Sequence, residues 1–203
     1  MSDKTRCSTL PGIWSSLPLS HLPHLLTHRI GVTLEESYHG ASRQITLRGG
    51  DPRAGQESKT LSVRIPKGVT QGQRIRLRGQ GGTGARGGRA DLYLEIALEP
   101  HRVFSVDGKD ITLTLPVAPW EAALGTTVAV PTLGGRVNVS IPANARSGQK
   151  LRLKGRGLPG KPPGDQFVMI QIALPEVTTE KQRAFMEQMR REMPFDPRQA
   201  IKY

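Results

Sequence analysis

The sequence has one cysteine, Cys7, in 203 residues. That excludes a disulfide scaffold and any cysteine-rich zinc site, since both need several thiols. It suits a reducing compartment. Large aromatics are scarce, with four Phe, two Trp and three Tyr, too few to build a large aromatic core. No stretch approaches the roughly 20 apolar residues that span a bilayer, so no membrane partner is expected. The leader carries Leu17, Leu19, Leu22, Leu25 and Leu26, but Pro18 and Pro23 interrupt it, and a signal peptide needs an unbroken apolar stretch. Catalytic patterns are missing too. There is no Gly-x-Ser-x-Gly elbow, no recurring carboxylate pair and no helper base beside Cys7, so an enzyme is not expected. His21, His24 and His28 have helical spacing, but Pro23 separates the first two and no carboxylate completes a ligand set. No metal and no cofactor are therefore expected.

Glycine, proline and positive charge are what the chain has in quantity. It holds 23 Gly and 16 Pro, and 29 Lys and Arg against 17 Asp and Glu give a net charge of +12. Much of this is organised by an internal repeat. Ile65-Pro-Lys-Gly-Val-Thr-Gln-Gly-Gln-Arg-Ile-Arg-Leu-Arg-Gly-Gln-Gly81 recurs as Ile141-Pro-Ala-Asn-Ala-Arg-Ser-Gly-Gln-Lys-Leu-Arg-Leu-Lys-Gly-Arg-Gly157, an offset of 76. Upstream, Glu36…Gly40 matches Glu121…Gly125 at an offset of 85; downstream, Asp91-Leu-Tyr-Leu-Glu-Ile matches Asp165-Gln-Phe-Val-Met-Ile. The difference in offset puts nine extra residues in the first copy around Gly49–Lys59, which reads as a surface loop.

Each copy reads as strand-rich. Arg74–Arg78 and Lys150–Lys154 alternate strictly, as do Leu61–Ile65 and Arg136–Ile141, the pattern of half-buried strands. Gly134-Gly135 and Asp107-Gly108 suit tight hairpin turns. Val32–Gly40 and Pro119–Gly125 read as short helical turns ended by glycine. Thr179 with Gln182 forms a capping-box signature. Phe185, Met186, Met189 and Met193 then make an apolar helical stripe, ended by Pro194. The expected fold is mainly β: two tandem, repeated β-sandwich or barrel-like domains followed by a short C-terminal helix. The boundaries are an irregular leader over 1–28, a first β domain over 29–112, a second over 113–177, and a helix and tail over 178–203 that serve in dimerisation.

Two glycine patterns, Gly79-x-Gly81-x-x-Gly84 and Gly155-x-Gly157-x-x-Gly160, fit a dinucleotide fingerprint. That fingerprint needs a following helix to hold the pyrophosphate. Here strands follow, so a glycine-rich connection is the reading. Arg74, Arg76 and Arg78 share one strand face, and Lys150, Arg152 and Lys154 share the matching one. Such a face is either solvated or a platform for an anionic partner, a phosphate backbone or an acidic peptide. No aromatics interleave with these cations in sequence, which disfavours base stacking. Ile30, Val32, Ile45 and Leu47 form either core or the wall of a groove at a sheet edge, where an extended peptide could add as a strand. The methionine stripe is either core or a contact with a second copy.

The repeated Ile-Pro block, Gly-x-Ala-Asp91-Leu-Tyr-Leu, Pro100-His-x-Val-Phe104-x-x-Asp-Gly108-x-Asp-Ile and Pro119-Trp-Glu-Ala-Ala-Leu-Gly125-Thr-x-Val-x-Val-Pro131-Thr-Leu together resemble the C-terminal substrate-binding region of DnaJ-like co-chaperones of the zinc-free class. Phe195-Asp-Pro-Arg198 is similar to a bacterial member that binds both unfolded polypeptide and DNA. The resemblance runs from about Ile30 to Arg198. It implies a module that binds unfolded or extended polypeptide in a groove lined by His28, Ile30, Ile45, Leu47 and Leu94. Arg43 would stand where the family meets the acidic tail of its seventy-kilodalton partner, DnaK. His28 is polar where the family prefers an apolar residue. No His-Pro-Asp occurs in the sequence, so the J-domain stimulation of the partner's ATPase is not implied. The alternative is an architectural DNA-binding protein using Arg74, Arg76, Arg78, Lys150, Arg152 and Lys154. A homodimer through Phe185, Met186, Met189 and Met193, in the cytoplasm and at the nucleoid, completes the expectation.

Overall fold

The computed structural model describes residues 26–48, 58–81, 90–199 and 201. Of the expected leader over 1–28 and loop over 49–59, residues 1–25 and 49–57 lie outside the described residues, as does Gly84; 26–28 fall in a strand, and so do 58 and 59. Strand β1 (Leu26–Val32) leads into helix α1 (Leu34–His39), β2 (Ala41–Arg48), β3 (Ser58–Ile65), β4 (Arg74–Leu77) and β5 (Leu92–Leu98). Then come β6 (Phe104–Asp107), β7 (Asp110–Val117), α2 (Pro119–Leu124), β8 (Thr126–Thr132), β9 (Gly135–Ile141), β10 (Lys150–Leu153), β11 (Gln166–Ile172) and α3 (Glu180–Glu192).

The architecture is mainly β, and the sequence repeat is a topological repeat. One sheet has the order β1-β5-β4, and another has β10-β11-β7-β6. In each the last strand of the copy lies between the first and the fourth, with β6 added beyond β7 in the second. The remaining strands form the ribbons β2-β3 and β8-β9.

Local chemistry explains the short helices. Thr33 caps α1: its Oγ1 accepts from Glu36 N at 3.3 Å while Glu36 Oε2 accepts from Thr33 N at 3.0 Å. α2 keeps half of this arrangement. Ala118 has no hydroxyl, but Glu121 Oε2 still accepts from Ala118 N at 2.9 Å, and Pro119 opens the helix where its missing N–H costs nothing. Both stop at the expected glycines, Gly40 and Gly125. α3 carries the full capping box of Thr179 and Gln182. The hairpins are displaced by one residue from the expected turns. Thr132 pairs with Gly135 and Asp107 with Asp110, so the two-residue loops are Leu133-Gly134 and Gly108-Lys109.

The chain divides into two compact units that are not contiguous in sequence. One holds β1, most of β2 and β3, β4 and nearly all of β5; the other holds α1, the start of β2, the end of β3, residues 64–70 and everything from Leu98 onward. In the first unit the alternate residues Ile30 and Val32 of β1, Val63 of β3, and Leu92, Leu94 and Ile96 of β5 are buried. In the second, Leu34 of α1 joins Phe104, Ile111, Leu113, Val130, Ile141, Leu158, Val168 and Ile170 in one core. Burying a leucine such as Leu34 contributes on the order of 2 kcal/mol. Within this unit the segment after β3 is fixed closely: Ser37 Oγ donates to Val69 O at 2.6 Å and Gly68 N donates to Ser37 O at 2.7 Å. A Cβ on Gly68, whose φ is +77°, would stand 1.9 Å from Pro159 O.

Candidate functional site

The basic strand faces come first, because the repeat carries the largest charge feature. β4 alternates exposed Arg74 and Arg76 with half-buried Ile75 and Leu77; β10 does the same with Lys150 and Arg152 against Leu151 and Leu153. Of the six cations, two are already engaged. Asp91 Oδ2 accepts from Arg76 Nε at 2.7 Å and meets its terminal nitrogen at 2.5 Å, and Asp91 Oδ1 accepts from Gly79 N at 2.9 Å. The second copy reproduces this atom for atom. Asp165 Oδ2 takes Arg152 Nε at 2.7 Å and its terminal nitrogen at 2.5 Å, and Oδ1 takes Gly155 N at 2.7 Å.

One carboxylate thus ties a strand arginine to the backbone amide where the strand ends. Gly79 and Gly155 both have positive φ, +62° and +69°, which glycine adopts without steric cost. The amide of Gly79, then the Arg76 guanidinium, hold Asp91 below the usual carboxylate range. For Asp165 the amide of Gly155 leads; burial opposes it, and Arg152 adds to the lowering. Each charged form is the one hydrogen-bonded.

The other cations differ. Arg74 approaches Glu95 at 3.9 Å, and Arg29 of β1 reaches the same carboxylate at 3.2 Å. Arg78, Lys150 and Lys154 are exposed and make no ion pair among the described residues. Sequence order concealed one neighbour. Tyr93 of β5 pairs directly with Arg76, and Phe167 of β11 with Arg152, so each shares a face with its arginine. Aromatics do accompany the basic rows, from the adjacent strand.

The residues of the expected groove are placed unevenly. His28 stands exposed on β1. Ile30 is buried, and Leu94 on β5 is fully so. Ile45 lies on β2, half-buried, and Leu47 is two positions further along that strand. β2 pairs with β3 and with no other strand among the described residues, so one edge of it has no strand partner, the requirement for adding a further strand. Arg43, also on β2, donates from Nε to Glu36 Oε1 at 2.7 Å.

On α3, Phe185, Met189 and Met193 are exposed and Met186 half-buried; the helix has no buried residue. His101 has a structural role: its Nδ1 accepts from Val103 N and Phe104 N, both at 3.1 Å, and its ring stacks on Phe104. Among the described residues no cluster of His, Cys, Asp and Glu could hold a metal ion, and no helix is long and apolar enough to cross a membrane. The second glycine pattern leads into β11, not a helix.

The pairing of two strand-rich copies around repeated Ile-Pro blocks has a counterpart among known proteins. Residues 26–175 match the DnaJ C terminal domain. The chain belongs to that family. It is 51% identical over 179 residues to the curved DNA-binding protein of Coxiella burnetii (strain RSA 493 / Nine Mile phase I), covering 85% of this chain and 57% of the relative. Its identity to the curved DNA-binding protein of Pseudomonas syringae pv. tomato is 46% over 177 residues, 83% of this chain and 56% of that protein. The curved DNA-binding protein of Pseudomonas putida (strain W619) is 41% identical over 177 residues. The chain spans a little over half the length of these relatives. The DnaJ C terminal domain family is one of chaperones and co-chaperones.

Proposed function

We propose that this chain holds unfolded or extended polypeptide along the unpaired edge of β2. One observation carries the reading. Ile45 is half-buried on β2, whereas the residue at its place in the second copy, Val130 on β8, is fully buried. The same fold position is core in one copy and reachable in the other. Main-chain hydrogen bonds to the strand edge would supply general affinity, and Ile45 with Leu47 a loose apolar preference. Ile30, Leu94 and His28 would complete the groove. Arg43, paired with Glu36, is the position from which an acidic tail of a DnaK-type chaperone would be met. Two chains joined through Phe185, Met186, Met189 and Met193 would present two such edges to one long client, raising avidity. The test is suppression of aggregation of a denatured model protein. Ile45→Ser with Leu47→Ser should abolish most of it; full suppression by a folded double variant would sink the reading.

A second reading is supported by the repeated basic faces and by the name that the relatives share. It is binding to DNA through phosphate, steeply salt-dependent and weakly selective for sequence, in the cytoplasm at the nucleoid. Gel shifts across a salt series with curved and straight duplexes test it. No salt-dependent shift would remove it.

A further inference from the structure

The six cations of the two basic rows are not equivalent, and the difference repeats. Arg76 and Arg152 each spend their guanidinium on an aspartate that also fixes a strand-end amide. Arg74 and Arg29 share a single carboxylate, Glu95. Arg78, Lys150 and Lys154 are exposed and form no ion pair among the described residues. In the second copy this leaves a cation without an ion pair on each side of a paired one: Lys150 opens β10, and Lys154 stands in the turn just past its end. We propose that Arg78, Lys150 and Lys154, with one net charge from Arg74 and Arg29, are the groups that meet the phosphate backbone of duplex DNA, and that Arg76 and Arg152 serve the fold and not the ligand. This rests on the DNA reading above and sharpens it, since composition alone gives all six cations one role.

An anion approaching Arg76 would have to displace a carboxylate that already occupies both of its facing nitrogens, and would strand Asp91 beside it. Lys154 and Arg78 feel Asp165 and Asp91 only through space, with no ion pair to them, so an anion approaching either cation displaces no bound carboxylate. The position of Arg78 recurs as Lys154 in the second copy, and each contact with a phosphate that releases a counterion adds to the salt slope.

The test is the dependence of duplex affinity on salt, measured for the full chain and for variants with unchanged circular dichroism. Arg78→Ala, Lys150→Ala and Lys154→Ala should each flatten the log–log slope by about 0.9. Removing each pair whole, by Arg76→Met with Asp91→Asn and Arg152→Met with Asp165→Asn, leaves no uncompensated carboxylate and should leave the slope unchanged. Should that protein fail to fold, Asp91→Asn with Asp165→Asn alone decides. The asparagines keep a hydrogen-bonding oxygen but release the charge, so the slope should steepen. A slope that flattens when both pairs are removed whole, or that stays constant when only the aspartates become asparagine, overturns the assignment while the DNA reading stands. Absence of any salt-dependent shift for the unaltered chain removes the DNA reading and this assignment with it. Equal flattening with polyglutamate in place of DNA would assign the row to acidic polypeptide and overturn the proposal.

Discussion

The two copies of the repeat agree where strands end and differ where a ligand could be met. Arg76, Asp91 and Gly79 in the first are matched by Arg152, Asp165 and Gly155 in the second, with distances that agree within 0.2 Å. At β2 and β8 they part. Val130 is sealed in the core of the second unit, and Ile45 keeps contact with solvent. A residue type preserved at matching places therefore does not have a preserved task. The shared contacts build the sheet, and the difference in burial sets the two ribbons apart.

Substitutions at matching positions should separate building from binding. The largest effect is expected after β3. Gly68 and Asn144 occupy the same place in the two copies, and both have positive φ, +77° and +60°. Gly68→Ala would drive a Cβ into Pro159 O and should cost about 4 kcal/mol in chemical denaturation. Asn144→Ala, exposed at its site, should cost only about 1 kcal/mol. Equal losses would break the comparison. Next, Val130→Ser should cost about 3 kcal/mol, through lost packing and a buried hydroxyl, while Ile45→Ser should cost under about 1 kcal/mol and show its effect in client holding instead. Smaller still is Ser37→Ala. It leaves the buried Val69 carbonyl without its 2.6 Å donor and should cost about 1 kcal/mol; the second copy has Ala122 at this place.

The smallest expected effect is a pH dependence. Asp91 and Asp165 are held below the ordinary carboxylate value, so the stability they contribute is present above that value, near pH 4, and lost as pH falls through the lowered one. The melting-temperature gap between the unaltered chain and Asp91→Asn with Asp165→Asn should therefore close between about pH 5 and pH 2. A gap that persists at low pH would mean that the charge on these aspartates is not what holds the strand ends.

Much of this fold is legible in the sequence because its signals are local. The alternation in Arg74–Arg78 and Lys150–Lys154, the glycines after both short helices and the Thr179–Gln182 box each involve neighbours within a few residues. The repeat then carries the strand order from one copy to the other. What stays hidden is what strand pairing brings together. Asp91 is fifteen residues from Arg76, and Tyr93 reaches the basic row only from the adjacent strand. The recurrence of aspartate at both Asp91 and Asp165, each following a glycine-rich connection, is the signal that could have revealed the tie. Nor does the repeat announce that Leu34, from the first copy, packs in the core of the second unit. That is a property of side-chain volume and closure, not of periodicity. Burial also separates Ile45 from Val130, two β-branched residues that read alike in the chain.

Helix α3 has thirteen residues, a complete capping box and no buried side chain. Isolated helices of that length are marginal in water, and caps add only about 1 kcal/mol. Phe185, Met189 and Met193 offer the apolar area that would make up the difference once another surface covers them. If that surface is the proposed second copy, folding of this segment and its association would be a single equilibrium, and its helix content would depend on how much protein is in solution.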